Sequence, residues 1–168
     1  MGMEKGMEMA TEMETRPPVA VLRLRFAFTP EEEDVNGHVN NIEYVRKMQE
    51  ISILHIGRNG WGMDKLLAGR HTWVVREHRI EYLRACRAGE PIALYTWVHD
   101  FQRIRSHRRY RFVRESDGAV LARAETEWVY FDLDRQRPVT VPDKFVAIFP
   151  AMGEAAEAQI GTDEVGEP

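Results

Sequence analysis

Only one long stretch of this chain, NIEYVRKMQEISILHI at residues 41–56, has the length and apolar spacing of a helix. Ile42, Val45, Met48, Ile51, Ile53, Leu54 and Ile56 cover more than half of its circumference, so such a helix must be mostly buried. Everything long around it reads as strand. VLRLRFAF (21–28) alternates, with Leu22, Leu24, Phe26 and Phe28 on one side and Arg23 and Arg25 on the other. Four further runs, about 71–83, 91–101, 104–115 and 119–131, are rich in Val, Ile, Trp and Tyr. They are separated by RAGEP, a tight connection near Gln102, and ESDGA with its Asp117-Gly118 hairpin turn. A short helix fits MDKLLA at 63–68. The order β-α-β-β-β-β predicts an α+β fold: an antiparallel sheet wrapped around one long central helix. Such a sheet has an edge strand, which pairing with a second subunit would cover.

The ends read differently from the middle. Residues 1–18 are rich in Met and Glu, lack periodicity and close on Pro17-Pro18, which predicts a disordered leader. Residues 151–168 are small, acidic and aperiodic, which predicts a disordered tail. The folded domain is then 19–150, the size of one ordinary core. No window approaches the roughly 20 apolar residues of a membrane span. The N-terminus has no apolar signal-peptide core, so a cytoplasmic location is expected. Cys86 is the only cysteine, which excludes an intrachain disulfide. A net charge of −4 argues against nucleic acid as a partner. Against that acidic mean, FQRIRSHRRYRFVR (101–114) is a basic stripe, which suits either an anionic ligand part or a solvated strand face. His55, His71, His78, His99 and His107 show no metal-ligand spacing, and no metal is expected.

The helix is preceded by DVNGHVNNIEY, residues 34–44. Asn40 followed by Glu43 has the spacing of a capping box, and Gly57 and Gly60 stop the helix. Asp34 alone would be read as an Asx-turn residue. Together with the order of elements, however, Asp34-x-x-Gly37-His38-Val39-Asn40-Asn41-x-x-Tyr44 resembles the hotdog-fold acyl thioesterases, especially the 4-hydroxybenzoyl-CoA thioesterase-like and acyl-ACP thioesterase-like branches. Further blocks match in register: Trp73-Val74-Val75 leading to Ile80-Glu81-Tyr82-Leu83-Arg84, then Ala88-Gly89-Glu90. Glu125 to Asp132 with Arg137-Pro138-Val139 and Pro142 completes them. The likeness spans about residues 20–145.

The resemblance implies a hotdog homodimer or a dimer of dimers that hydrolyses acyl thioesters of coenzyme A or acyl carrier protein, without a cofactor. It puts Asp34 in the place of the catalytic carboxylate, as nucleophile or general base. A backbone N–H near Asn41, at the positive helix N-terminus, would hold the thioester oxygen. Asn36 and His38 complete the set, as positioning and proton-transfer groups or as braces of the loop. Glu50 is a second acidic candidate, or an ion-pair residue. Gly37 and Asn40 shape the approach, Tyr44 packs below, and Arg103, Arg105, Arg108 and Arg109 are candidates for the carrier's phosphates. A Cys86/His38/Asn36 arrangement is disfavoured, because only Arg84 and Arg87 stand near to lower the thiol pKa. Two other readings stay open: a non-catalytic acyl-binding or regulatory module, and another hotdog reaction such as hydration or dehydration of an acyl chain.

Overall fold

The computed structural model describes residues 16–168; the expected leader lies outside them except for its last three residues. The elements are β1 (Val21–Phe26), α1 (Asn41–Arg58), α2 (Met63–Ala68), β2 (His71–Tyr82), β3 (Ile92–Gln102), β4 (Arg105–Arg114), β5 (Val120–Asp132), β6 (Arg137–Pro138) and α3 (Asp143–Ile148). The strands form one antiparallel sheet ordered β1-β3-β4-β5-β2, with β6 on β5. Register slips at Val75/Glu77, Val98/Asp100 and Phe112/Val113 are bulges that add twist, and the sheet curls around α1. This is the hotdog fold expected from the sequence. The predicted strand limits hold to within about two residues, while α1 runs two residues further and passes through Gly57.

Asn40 caps α1 as expected, its Oδ1 accepting the Ile42 N–H at 3.1 Å. The reciprocal half of the capping box is absent. Asn40 N–H donates to the Glu32 carbonyl instead, and Glu43 pairs with Arg46. The inner face of α1 places Tyr44, Met48 and Ile51 against Leu22, Leu94, Tyr110 and Phe112, all essentially inaccessible. Each such side chain contributes about 1.5–3 kcal/mol through burial. A second cluster closes the far end of the helix, where Ile56 and Trp61 meet Tyr130, Phe145 and Phe149.

The tail prediction is corrected by the structure. Residues 151–168 lie along the outer face of the sheet, including a 3₁₀ helix at Gly153–Gln159. Ala156, with Met152, Ile160 and Val165, covers Val21, Ala93, Tyr95 and Trp97. The acidic side chains meet the basic stripe: Glu154 pairs with Arg109 at 2.8 Å, Glu157 with Arg111, and Glu167 with Arg23 at 2.6 Å. Gly166 forms a parallel bridge to Leu22 at the free edge of β1. A Cβ there would collide with the Val19 side chain, so only glycine fits. The tail's polarity and lack of periodicity fit a segment that docks through ion pairs and a few small apolar contacts.

Candidate active site

The loop before α1 is built by its own polar residues. The Asp34 carboxylate accepts the Asn36 backbone N–H at 2.8 Å and the Asn36 amide at 3.4 Å. Asp34 N–H donates to the His38 carbonyl at 2.7 Å, and Gly37 N–H to the Asp34 carbonyl at 3.0 Å. Gly37 sits at φ +72°, the left-handed conformation that lets the chain reverse here. The loop is tied to the 86–88 turn by Val39 N–H to the Cys86 carbonyl (2.9 Å) and by Ala88 N–H to the Glu33 carboxylate (2.7 Å). The Asx-turn reading of Asp34 is therefore correct as local structure, and it leaves the residue half-exposed. The Asn36 backbone N–H holds its pKa below the usual aspartate range, with Asn36's amide and His38 adding to the effect, so the group is ionised at neutral pH.

The loop feeds directly into the helix N-terminus. Asn40 uses the Ile42 N–H, and Glu43 N–H returns to the Asn40 carbonyl. The Asn41 N–H has no acceptor among the described residues. An ionised carboxylate and an unused donor at the positive end of an eighteen-residue helix thus share one short segment. That pairing can stabilise negative charge on a carbonyl oxygen while a nucleophile is supplied from the same loop.

Asp34, Asn36, Gly37, His38, Asn40 and Asn41 are brought together, and the other candidates are not. Glu50 lies roughly 13 Å further along the helix axis, exposed and paired with Lys47 at 2.7 Å. Tyr44 is a core residue, packed against Phe28, Tyr82 and Phe112. Cys86 is buried, donates weakly to the Arg87 carbonyl at 3.4 Å, and has its thiol pushed up to about 12 by burial and by Glu90. It is not primed as a nucleophile.

The basic stripe does not form one patch. Arg105 and Arg109 point outward and meet Glu127 (3.6 Å) and Glu125 (2.9 Å). Arg108, between them in the chain but of opposite strand parity, points under α1 and is 5 % exposed. Arg103 stands apart at the β3–β4 turn, on a broad open groove that also takes in Lys65, Arg135, Arg137 and Lys144, with Asp132 among them.

A smaller cavity of about 130 Å³ lies between the second half of α1 and strands β2 to β5. Ser52, Ile53, Trp73, Ser106, Arg108 and Trp128 line it. Of these, only Arg108 was a site candidate from the sequence, and for a different place. Strand parity was the usable signal: Tyr110 and Phe112 face the helix, so Arg108 and Ser106 must do so too. Among the described residues no cluster of three His, Cys, Asp or Glu could hold a metal ion, and no helix is long and apolar enough to cross a membrane.

Residues 28–149 match the family model of the thioesterase-like superfamily. No protein of curated function matches the sequence. Among solved structures, an acyl-ACP thioesterase from Bacteroides thetaiotaomicron superposes with a TM-score of 0.67 at 21 % identity, covering 73 % of this chain and 50 % of that one. A 1,4-dihydroxy-2-naphthoyl-CoA thioesterase from Synechocystis gives 0.70 at 13 %, covering 76 % and 94 %. A Staphylococcus aureus protein solved in complex with CoA gives 0.72 at 16 %, covering 92 % and 93 %. The chain thus spans half the length of the Bacteroides protein and nearly all of the other two.

Proposed function

The chain belongs to the thioesterase-like superfamily, and we propose that it hydrolyses acyl thioesters of coenzyme A or acyl carrier protein through the Asp34 loop. The observation that carries this reading is that the loop holding the ionised Asp34 carboxylate runs directly into the helix start that carries the unused Asn41 N–H. The thioester oxygen rests on that N–H, an interaction worth about 3–4 kcal/mol in the transition state. Asp34 attacks the carbonyl carbon, the C–S bond breaks, and the thiolate leaves and takes a proton from His38 or water. Water then hydrolyses the mixed anhydride and restores the carboxylate. The same carboxylate can serve instead as general base on a water that attacks the carbonyl carbon. Asn36 orients the carboxylate through its two hydrogen bonds.

The carrier's phosphates fit the groove of Arg103, Lys65, Arg137 and Lys144 better than the stripe on β4, whose outward arginines already have carboxylate partners. The β2 edge and the exposed apolar side chains Ile42, Val74 and Tyr82 supply the surface for a homodimer.

Purified protein incubated with matched acyl-CoA and acyl-ACP esters should release free thiol, read with a thiol reagent. Release from one carrier alone fixes the carrier. Binding without release on every ester would replace this proposal with that of an acyl-binding module.

A further inference from the structure

Arg108 is the exception among the strand arginines. Its guanidinium, which stays protonated in proteins, is buried on the concave side of the sheet and forms no ion pair among the described residues. Its hydrogen-bond partners are neutral: His55 Nδ1 at 2.8 Å and the Thr96 hydroxyl at 3.2 Å. His55 lies fully buried, with Nε2 against the Val19 carbonyl at 2.8 Å. Nε2 therefore donates, which leaves Nδ1 as the acceptor for Arg108 and the ring uncharged. A buried cation without a counter-ion is costly, and proteins normally pair it.

The surroundings of Arg108 are also rich in unused donors. Arg108 lines the 130 Å³ cavity with Trp73 and Trp128, and both indole N–H groups are buried without an acceptor. Ser106, on the same strand face, lines it too. No carboxylate lines the cavity. Apart from Gln49 and Ser52, its remaining walls are apolar, from Ile53, Ile56, Met63, Val98 and Phe145. The volume is several times what one water requires. The half-exposed Gln49 and exposed Ile53 mark its mouth on the outer side of α1, and the buried Val98, Ser106 and Arg108 form its floor.

From this geometry, and resting on the thioesterase reading above, we infer that the cavity receives the distal end of the acyl group and that this end carries a carboxylate. A methyl terminus would leave the guanidinium and both indole donors unmet. A hydroxyl would meet one donor and leave the charge uncompensated. A carboxylate supplies two acceptor oxygens and the missing negative charge. The substrate class is thus an ω-carboxyacyl thioester.

His55, and with it the Arg108 guanidinium, stands roughly 21 Å along α1 from Asn41, so a chain of about sixteen carbons is needed to span the distance. The test compares kcat/KM for hexadecanedioyl-CoA and palmitoyl-CoA, which are of equal chain length, in wild type and in Arg108→Met. Wild type should favour hexadecanedioyl-CoA by at least about tenfold, well inside the range by which a site built for a polar group rejects an analogue lacking it. Arg108→Met should reverse that order, with the gain on palmitoyl-CoA showing that the variant is folded. Calorimetric titration of wild type with free hexadecanedioate and with palmitate separates the two sources of a carboxylate. Tighter binding of hexadecanedioate supports the inference; equal binding would mean that a simple acid enters head-first, and would overturn it. A wild-type preference for palmitoyl-CoA, or a ratio unmoved by Arg108→Met, would overturn the inference while leaving thioester hydrolysis standing. If no ester is hydrolysed, the hydrolytic reading fails, and the titration alone decides whether the cavity is a carboxylate site.

Discussion

Arg109 and Arg111 leave β4 on its outer face, and each reaches a carboxylate of the C-terminal segment: Glu154 and Glu157. Arg108 leaves the same strand on its inner face and reaches only a neutral imidazole and a hydroxyl. On the outer face an acidic segment pairs with Arg109 and Arg111 and shields Trp97 and Tyr95 beneath it. The inner face has an unbalanced charge beside a cavity. On the outside, arginine serves the fold. On the inside, where a charge costs more, its retention points to a ligand.

The contrast can be broken most severely by deleting residues 151–168. That uncovers Val21, Ala93, Tyr95 and Trp97 and should cost about 3–6 kcal/mol, read as a fall in the urea midpoint. A loss below about 1 kcal/mol would show that the segment does not clamp the sheet. The next largest effect is acid sensitivity. Burial, with Arg108 nearby, lowers the His55 pKa from 6.5 to about 3, so the unfolded state binds a proton that the folded state refuses. The stability this gives is complete above pH 6.5 and falls by up to about 1.4 kcal/mol per pH unit as the pH drops toward 3. His107 works in the opposite sense: burial lowers its pKa, but hydrogen bonds to Asp100 and Glu127 outweigh this and raise it. His55→Gln should therefore remove the slope below pH 6.5 selectively, as measured by urea unfolding across pH. An unchanged slope would place the acid sensitivity elsewhere. The outer pairs respond only lower, since Arg109 and Arg23 hold Glu154 and Glu167 below the usual glutamate range.

Smaller effects sharpen the same comparison. Arg108→Met should leave the melting temperature equal or higher, because it removes an uncompensated buried charge, whereas Arg109→Met should lower stability by about 1 kcal/mol at most. The reverse ranking would make Arg108 a structural residue. Smallest of all, Cys86→Ser should keep thioester hydrolysis within about twofold, since a thiol whose pKa is raised this far is not a nucleophile.

The helix and the strands were legible because both periodicities are local. Alternation in VLRLRF and the wide apolar face of residues 41–56 needed no knowledge of their partners. The Asp34 loop was legible as well, since its Asx turn, its glycine and its helix cap are all made within eight residues. The docked tail was not, because its stability comes from residues more than forty positions away, as in Glu154–Arg109. One trace of it was present in β3, whose unbroken IALYTWV run is buried on both faces and therefore requires a cover on the second. The inner role of Arg108 was hidden by composition: a stripe of six arginines looks uniform until strand parity divides it.

The central claim is that the loop before α1 performs thioester chemistry through Asp34. Its most direct test is the rate of thiol release by Asp34→Asn, which keeps the loop's shape but removes the charge. The expected result is a loss of about a thousandfold or more in kcat, with an unchanged melting temperature. Release within tenfold of wild type by a folded Asp34→Asn protein would contradict it.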